Sequence, residues 1–420
     1  MVEDLTPNST PSTATPLDDA ANQYVRLVLA LGEHDADYVD AYYGPPELRG
    51  EVRAEARTVE DIKRNAEALQ ARVAALPEPP TELERLRRDY IRTQTAAVAA
   101  RAAMLSGTTF TFDEESKALY DAVAPAHGPE HYDELLRELE AELPGEGTVS
   151  VRLDAFRAKF VIPKDRLDIV FNKAIDGCRE RTLRHIALPA GESFTVEYVT
   201  DKSWSGYNWY QGSYRSLIQV NTDLPIYIDR AVDLACHEGY PGHHVYNALL
   251  EKSLVRERGW IEFTVYPLFS PQSLIAEGSA NYGIDVAFPK AEKIAWEREH
   301  LFPLAGLDPT QAEKYYRVFD LTSKLAYAGN EAARGLIDGT LTDESAAVWL
   351  EKYALMSPER ARQRIRFIRQ YRSYVINYNL GQDLVEAYVE RLAGGDGEAR
   401  WRAFTELLSS PRLPSGLGAK

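Results

Sequence analysis

The segment that decides the fold is DRAVDLACHEGYPGHHVYNALLEK, residues 229–252, because it carries chemistry that the rest of the chain must surround. It holds three of the chain's eight histidines within eight positions, and Glu238 directly follows the first of them, His237. Zinc favours imidazole nitrogen and carboxylate oxygen, and a catalytic zinc keeps one position open for water. Zinc acidifies that water, and a neighbouring glutamate can accept its proton. His237 and Glu238 therefore offer a metal ligand and a general base side by side, as in the HExxH helix.

The second ligand of an HExxH helix is missing, because Pro241 stands four residues after His237. On a regular helix His243 would point about 240° around from His237, and His244 would lie roughly 10 Å along the axis. Pro241-Gly242 predicts a break or a bulge, which would free the local geometry. Two residues absorbed as a bulge would bring His243 into the position of the second ligand. We therefore favour His243 over His244 as the ligand, and expect the other histidine to support the site or to face the substrate.

A third ligand is predicted from SLIAEGSANYGIDVAF, residues 273–288, a helix-like segment whose small residues allow close packing. Its Glu277 could complete the site, and Asn281, one turn later, could orient a ligand. An ordinary ion-pair carboxylate is the alternative interpretation of Glu277. For the histidines the alternative is a hydrogen-bonded structural cluster. A purely structural zinc fits less well, since such sites usually close with four ligands and favour cysteine.

Peptide hydrolysis also needs a donor for the developing oxyanion, which can be worth a few kcal/mol. The candidates are Tyr374 and Tyr378 in SYVINYNLGQ, Arg334 in NEAARGL, and the spare histidine. With 24 tyrosines in the chain, each single tyrosine is weakly specified.

The motif HEGYPGHH resembles the HExxPGHH signature of the bacterial family called domain of unknown function 885. IAEGSANYG, AARGLIDG and NYNLGQDL are similar to its other landmarks, and the resemblance covers roughly residues 198–390. It implies a zincin-type metallopeptidase with His237 and either His243 or His244 as ligands. It also implies Glu238 as base and Glu277 as third ligand. The last landmark departs from the family, where Pro precedes Gly-Gln, and this leaves the roles of Tyr378 and Gln382 open.

Net charge and the distribution of apolar residues limit which partners and which cellular location can be expected. The net charge of −16 counts against nucleic acid or an anionic membrane as the main partner. No apolar run is long enough to cross a bilayer, and the first twenty residues lack the apolar core of a signal peptide. These features predict a cytoplasmic protein. Cys178 and Cys236 are accordingly expected to be buried, reduced thiols.

The chain divides by pattern into four segments. We expect a disordered segment at 1–20, a helical region at 21–190, a metal-bearing catalytic region at 191–410 and a frayed tail at 411–420. Alternating, aromatic-rich sequence over 194–221 predicts short strands linked by glycine turns. The predicted fold is mostly α and zincin-like, with a small antiparallel or mixed β-sheet edging the active-site cleft.

These observations predict a hydrolase of peptide bonds that holds one Zn²⁺ per chain. Two alternatives stay open: a zinc amidase or deacylase acting on a small molecule, and a non-catalytic helical interaction protein with a vestigial metal site. The sequence assigns no oligomeric state.

Overall fold

The computed structural model describes residues 15–202 and 204–418. The first half is almost wholly helical, with α1 Pro16–Gly32, α2 Pro46–Glu55, α3 Val59–Ala74, α4 Glu82–Leu105, α5 Phe112–Tyr120, α6 Pro129–Glu142, α7 Val149–Arg157 and α8 Leu167–His185. Helices dominate the second half as well, with α9 Asp229–Leu234, α10 His243–Leu250, α11 Pro271–Ala287, α12 Lys290–Ala305, α13 Ala312–Ser323, α14 Ala328–Ile337, α15 Asp343–Tyr353, α16 Pro358–Tyr371, α17 Ile376–Ala393, α18 Gly397–Leu408 and α19 Pro414–Leu417. The prediction of a mostly α protein is confirmed.

Helix starts follow the capping chemistry of the sequence. Thr81 accepts a hydrogen bond from the backbone of Glu84, whose side chain bonds back, and α4 begins there as the Thr-x-x-Glu spacing predicts. The same device at Thr15 starts α1 at Pro16, inside the segment 1–20 that we expected to be disordered. Residues 1–14 lie outside the described part.

The strands form two small sheets. β2 Ser193–Val199, β3 Gly206–Gly212 and β4 Arg215–Asn221 make a mixed sheet in the order β2-β4-β3, with β2 parallel and β3 antiparallel to β4. This sheet lies where alternation predicted strands. A second sheet pairs β1 Val39–Tyr42 with β5 Val265–Pro267, antiparallel. The sequence did not predict this second sheet, because strands of four and three residues are too short to show an alternation of apolar and polar side chains.

Helix α11 runs through the centre of the molecule, and nearly all its residues are buried. It crosses α17 at two glycines: a Cβ on Gly278 would overlap the backbone of Gly381. The crossing therefore needs glycine, as the small residues around Glu277 suggested, and it fixes that carboxylate against α17.

The predicted helical and catalytic regions share one continuous core. Buried Arg87 of α4 forms an ion pair with buried Glu262, at 2.6 Å from its Nε to Oε1. Tyr90 of α4 donates to Gln272 of α11 at 2.7 Å. At the other end, α19 buries Leu417, so the tail that we expected to be frayed from residue 411 is ordered at least to residue 418; residues 419–420 lie outside the described part.

Cys178 of α8 and Cys236 form a disulfide, which corrects the expectation of two reduced thiols. Both cysteines are fully buried and their Cα atoms are 5.7 Å apart, within the usual range for a disulfide. The bond fastens the residue before His237 to the N-terminal helices. Among the described residues, no helix combines the length and the apolar character that a bilayer span requires.

Candidate metal centre

The helix that carries the histidine cluster is interrupted where Pro-Gly predicted a distortion. It continues from α9 through a turn of π-helix over Ala235–Gly239, breaks at Tyr240-Pro241-Gly242, and resumes as α10 at His243. The N–H of Gly242 donates to the Cys236 carbonyl at 2.9 Å. A Cβ at Gly242 would collide with the carbonyl oxygens of Cys236 and His237, so only glycine fits this position.

The interruption brings His237, His243 and Glu277 together. One ligand atom from each residue lies within 4.8 Å of the others. Oε2 of Glu277 is 3.3 Å from Nε2 of His237 and 3.7 Å from Nε2 of His243. The extra residues of the π-turn thus place His243 where an HExxH helix has its second histidine.

The three side chains suit a zinc ion. Ligand atoms of a tetrahedral zinc, each about 2.0–2.1 Å from the metal, are roughly 3.3 Å apart, close to the separations observed here. Oε2 of Glu277 is buried, yet it accepts no hydrogen bond. Buried polar atoms without partners are rare, and a cation between the two imidazoles and Oε2 would satisfy this one.

The surrounding residues aim the ligands at this common point. Nδ1 of His237 lies 2.8 Å from Oδ1 of Asn281, whose amide donates to the carbonyl of Tyr378 at 2.7 Å. This pairing places the proton of His237 on Nδ1 and leaves Nε2 free for a metal. The Tyr374 hydroxyl donates to Oε1 of Glu277 at 2.8 Å, which leaves Oε2 toward the histidines.

The histidines and carboxylates of this group shift one another's pKa. Although burial opposes it, the two imidazoles lower the pKa of Glu277 far below its usual range. Burial would lower the pKa of His237, but Glu277 and Glu238 outweigh it and raise that pKa. Glu277 is therefore ionised at neutral pH, as a metal ligand would need to be.

Glu238 lies beside the group with a free carboxylate. Its side chain is 4% exposed and makes no hydrogen bond or ion pair with any described residue. Burial raises its pKa above the usual range, against the opposing effect of His237 and His243. A buried carboxylate with increased proton affinity is suited to accept a proton from water.

The edge strand β3 passes directly beside Glu238. A Cβ at Gly206 would lie 2.7 Å from Oε1 of Glu238, and the Asn208 side chain donates to the Glu238 carbonyl at 2.7 Å. Because β3 has β4 on one side only, its other edge can pair with an extended chain.

The structure places His244 away from the ligand group. This fully buried ring lies between Ser216, 2.9 Å from its Nδ1, and Glu192, 3.0 Å from its Nε2. Glu192 also accepts from Tyr240 and Arg179, and these contacts lower its pKa to about 2 against the effect of burial. Both ring nitrogens of His244 are occupied, so of the two neighbouring histidines only His243 is a ligand candidate.

The three candidate oxyanion donors have different positions. The Tyr374 hydroxyl already donates its hydrogen bond to Glu277. Tyr378, one helical turn on, has its ring centroid 5.8 Å from that of Tyr374, and its hydroxyl makes no hydrogen bond with a described residue. Arg334 is not brought to the group, because Asp113, Glu331 and the Ala124 carbonyl occupy its guanidinium.

Sequence reasoning missed Asp40, which lies at the register shift of β1 opposite β5. It makes no hydrogen bond or ion pair with the described residues. Burial, reinforced by Glu277 and Glu238, raises its pKa to about 7. No motif surrounds Asp40, so nothing in the sequence ties it to a site almost two hundred residues later.

No family model matches the chain, and no curated protein matches it, so the resemblance to domain of unknown function 885 stays a prediction. Among solved structures, the chain is similar to “the putative lipoprotein from Colwellia psychrerythraea”, with a TM-score of 0.53 and 15% identity over 96% of this chain and 75% of that one.

Two other structures have TM-scores too low to support an argument. One is named “BsuCP”, with a TM-score of 0.46 and 11% identity over 94% of this chain and 89% of that one. The other is “a putative lipoprotein of unknown function from Shewanella oneidensis”, with a TM-score of 0.45 and 13% identity over 92% and 82%. The likeness to the Colwellia protein shows a shared fold alone.

Proposed function

We propose that the protein is a zinc-dependent hydrolase of peptide bonds. The observation that carries the proposal is the convergence of His237, His243 and Glu277 on one point beside the free carboxylate of Glu238. Three protein ligands leave a fourth position for water or substrate, which is typical of catalytic rather than structural zinc.

The roles of the residues follow from their positions. A bound zinc supplies the Lewis acidity that activates water and polarises the substrate carbonyl. Glu238 accepts the proton of the attacking water and passes it to the leaving amine. Burial raises the pKa of the Tyr378 phenol well above its usual range, so this hydroxyl keeps its proton and can donate to the oxyanion.

The edge of β3 favours a peptide over a small amide. A peptide that pairs with β3 passes Glu238 in extended form, with its backbone groups bonded to those of the strand. A small N-acyl substrate would use none of these backbone groups. A panel of peptides and N-acyl small molecules separates the two activities, and we expect turnover of the peptides.

The central experiment measures bound zinc and peptide hydrolysis in the same preparations. Wild type should hold one zinc per chain, and His237→Ala should lose both zinc and activity. Glu238→Gln should keep its zinc while hydrolysis falls roughly 10²- to 10⁴-fold, because it removes only the base. His131→Ala is the control, since His131 is exposed and stacks on His127.

Two outcomes would contradict the proposal. Equal, near-zero zinc in wild type and His237→Ala would remove the metal site. Zinc without turnover of any substrate, and without an effect of Glu238→Gln, would support the vestigial alternative. A cytoplasmic location stays a prediction; the Cys178–Cys236 disulfide is more typical of an oxidising compartment.

A further inference from the structure

Arg364 of α16 carries a charge that nothing in the described chain balances. Its Nε is buried without a hydrogen-bond partner, and none of its nitrogens lies within 4.0 Å of a described carboxylate. The guanidinium packs on the Phe367 ring, 5.1 Å from the centroid. Gly329 of α14 lies beside it, since a Cβ there would be in van der Waals contact with Nη2 at 3.4 Å.

Two other arginines of the protein, Arg87 and Arg101, have acidic partners, whereas half-buried Arg157 and Arg181, like Arg364, form no ion pair with a described residue. Arg87 pairs with Glu262 and Asp18, and Arg101 pairs with Asp35 at 2.6 Å. A guanidinium cannot escape burial by losing its proton under ordinary conditions. Arg364 is half-buried and its Nε is buried without a partner, which is costly, so this guanidinium is suited to a ligand that brings the opposite charge.

The position of Arg364 ties it to the metal centre. Phe367, beneath its guanidinium, has its ring 6.5 Å from that of Tyr378, which in turn contacts Tyr374, the donor to Glu277. Tyr378 is also the group that opposes the lowering of the Arg364 pKa by burial. The rings of Phe367, Tyr378 and Tyr374 therefore connect this cation to Glu277 of the proposed reaction centre.

A second arginine extends the positive charge along α16. Arg360, one helical turn before Arg364, also has no ion pair with a described residue. It lies near enough to Arg230 of α9, seven residues before His237, to help lower the pKa of Arg230, an effect due mainly to burial. Arg360 and Arg364 thus place two cations without described ion pairs one turn apart on α16, although the protein as a whole is acidic.

We infer that Arg364 binds the C-terminal carboxylate of the peptide substrate, so that the enzyme removes residues from the C-terminus. The inference rests on the proposed function. Guanidinium and carboxylate match as a two-pronged pair, and a carboxylate close to the scissile bond belongs either to the chain end or to an acidic side chain. We assign the chain end, because every peptide has a C-terminal carboxylate, whereas only some peptides carry an acidic side chain near the scissile bond.

The test measures peptide binding in the Glu238→Gln background, where no turnover is needed. Three fluorescent peptides share one sequence and end in a free acid, in an amide, or in an amide preceded by glutamate. The free acid should bind about 10- to 100-fold more tightly than the amide, the range expected for one charge-assisted pair. Arg364→Gln should abolish this preference, and Arg364→Lys should retain part of it.

Arg366→Gln is the matched control, since Arg366 is exposed on the same helix and has no ion pair with a described residue. It should leave the preference unchanged. The inference is overturned if the Glu238→Gln protein binds acid and amide with the same affinity, or if the preference survives the addition of Arg364→Gln. Equal affinity for the acid and the glutamate amide would assign the site to acidic side chains instead. Zinc content, measured separately, shows whether the proposed function fails independently.

Discussion

At the scale of single residues, the two tyrosines near Glu277 differ by one hydrogen bond, and this separates their roles. Tyr374 donates to the proposed ligand, whereas the Tyr378 hydroxyl is free of described partners. Tyr378→Phe should keep full zinc content and lower kcat roughly 10²- to 10³-fold, as loss of an oxyanion donor does. Tyr374→Phe should instead weaken zinc binding about 10- to 100-fold. Competition with a chelator and peptide kinetics measure the two effects, and an exchange of the two phenotypes would contradict the assignment.

Asp40 predicts a dependence of stability on pH in the zinc-free protein. Its pKa of about 7 in the folded chain exceeds the ordinary value of 3.8. The stability gained by binding its proton is therefore complete below pH 4 and is lost as the pH rises through 7. Asp40→Asn should remove this loss, worth at most about 4 kcal/mol and less because the side chain is partly exposed. Urea unfolding with EDTA at pH 5 and pH 8 measures it, with exposed Asp37→Asn as control; parallel pH curves for wild type and Asp40→Asn would contradict it.

Sequence reasoning reached those site residues whose chemistry is local. His237, Glu238 and Asn281 stand at spacings that predict a ligand, a base and an orienting amide, and all three lie at the group. His244 could not be separated from His243 in this way, because its partners Glu192 and Ser216 come from elsewhere in the fold. Asp40 carries no motif, and only the fold shows that its charge is unbalanced. Arg364 lies in an arginine-rich stretch, residues 360–372, but only the fold shows that it has no ion pair with a described residue.

At the scale of elements, the site depends on two departures from regular helix. The π-turn and Gly242 shift the second histidine, and the Gly278–Gly381 crossing sets the depth of Glu277. The interruption before His243 was predictable, because Pro-Gly inside a helical pattern either breaks the helix or makes a bulge. For the Gly278–Gly381 crossing, the small residues around Glu277 predicted only that another element packs closely there. Nothing in the sequence identified α17 as that element, because the contact is tertiary.

Gly278→Ala tests the helix crossing. Its methyl group would overlap the Gly381 backbone, so we expect destabilisation by about 3 kcal/mol or more together with weaker zinc binding. Gly50→Ala is the control: this helical glycine of α2 has no heavy atom within 4 Å of an added Cβ. It should stabilise the protein by about 0.5–1 kcal/mol. Urea unfolding gives both values, and equal effects of the two substitutions would contradict a tight crossing.

At the scale of the whole molecule, the boundary that the sequence suggested near residue 190 marks a change of pattern but no break in packing. Helix α4 contributes Arg87 and Tyr90 to partners beyond residue 260, and α5 contributes Glu115 to Ser373. Side chains of the helical region therefore support the elements that carry the proposed metal ligands. The hydrophobic periodicity of the sequence cannot predict such contacts, because each joins residues that are far apart in the chain.

The pairing of β1 with β5 has a consequence for biosynthesis. The strand with Asp40 leaves the ribosome early, but it ends at Tyr42 and its partner begins only at Val265. Contacts this far apart in sequence form late, after the intervening chain has been made. Since Glu277 follows β5, a nascent chain that has exposed both histidines still lacks the carboxylate. Stable capture of an ion at the proposed site must then await translation of roughly the first two thirds of the polypeptide.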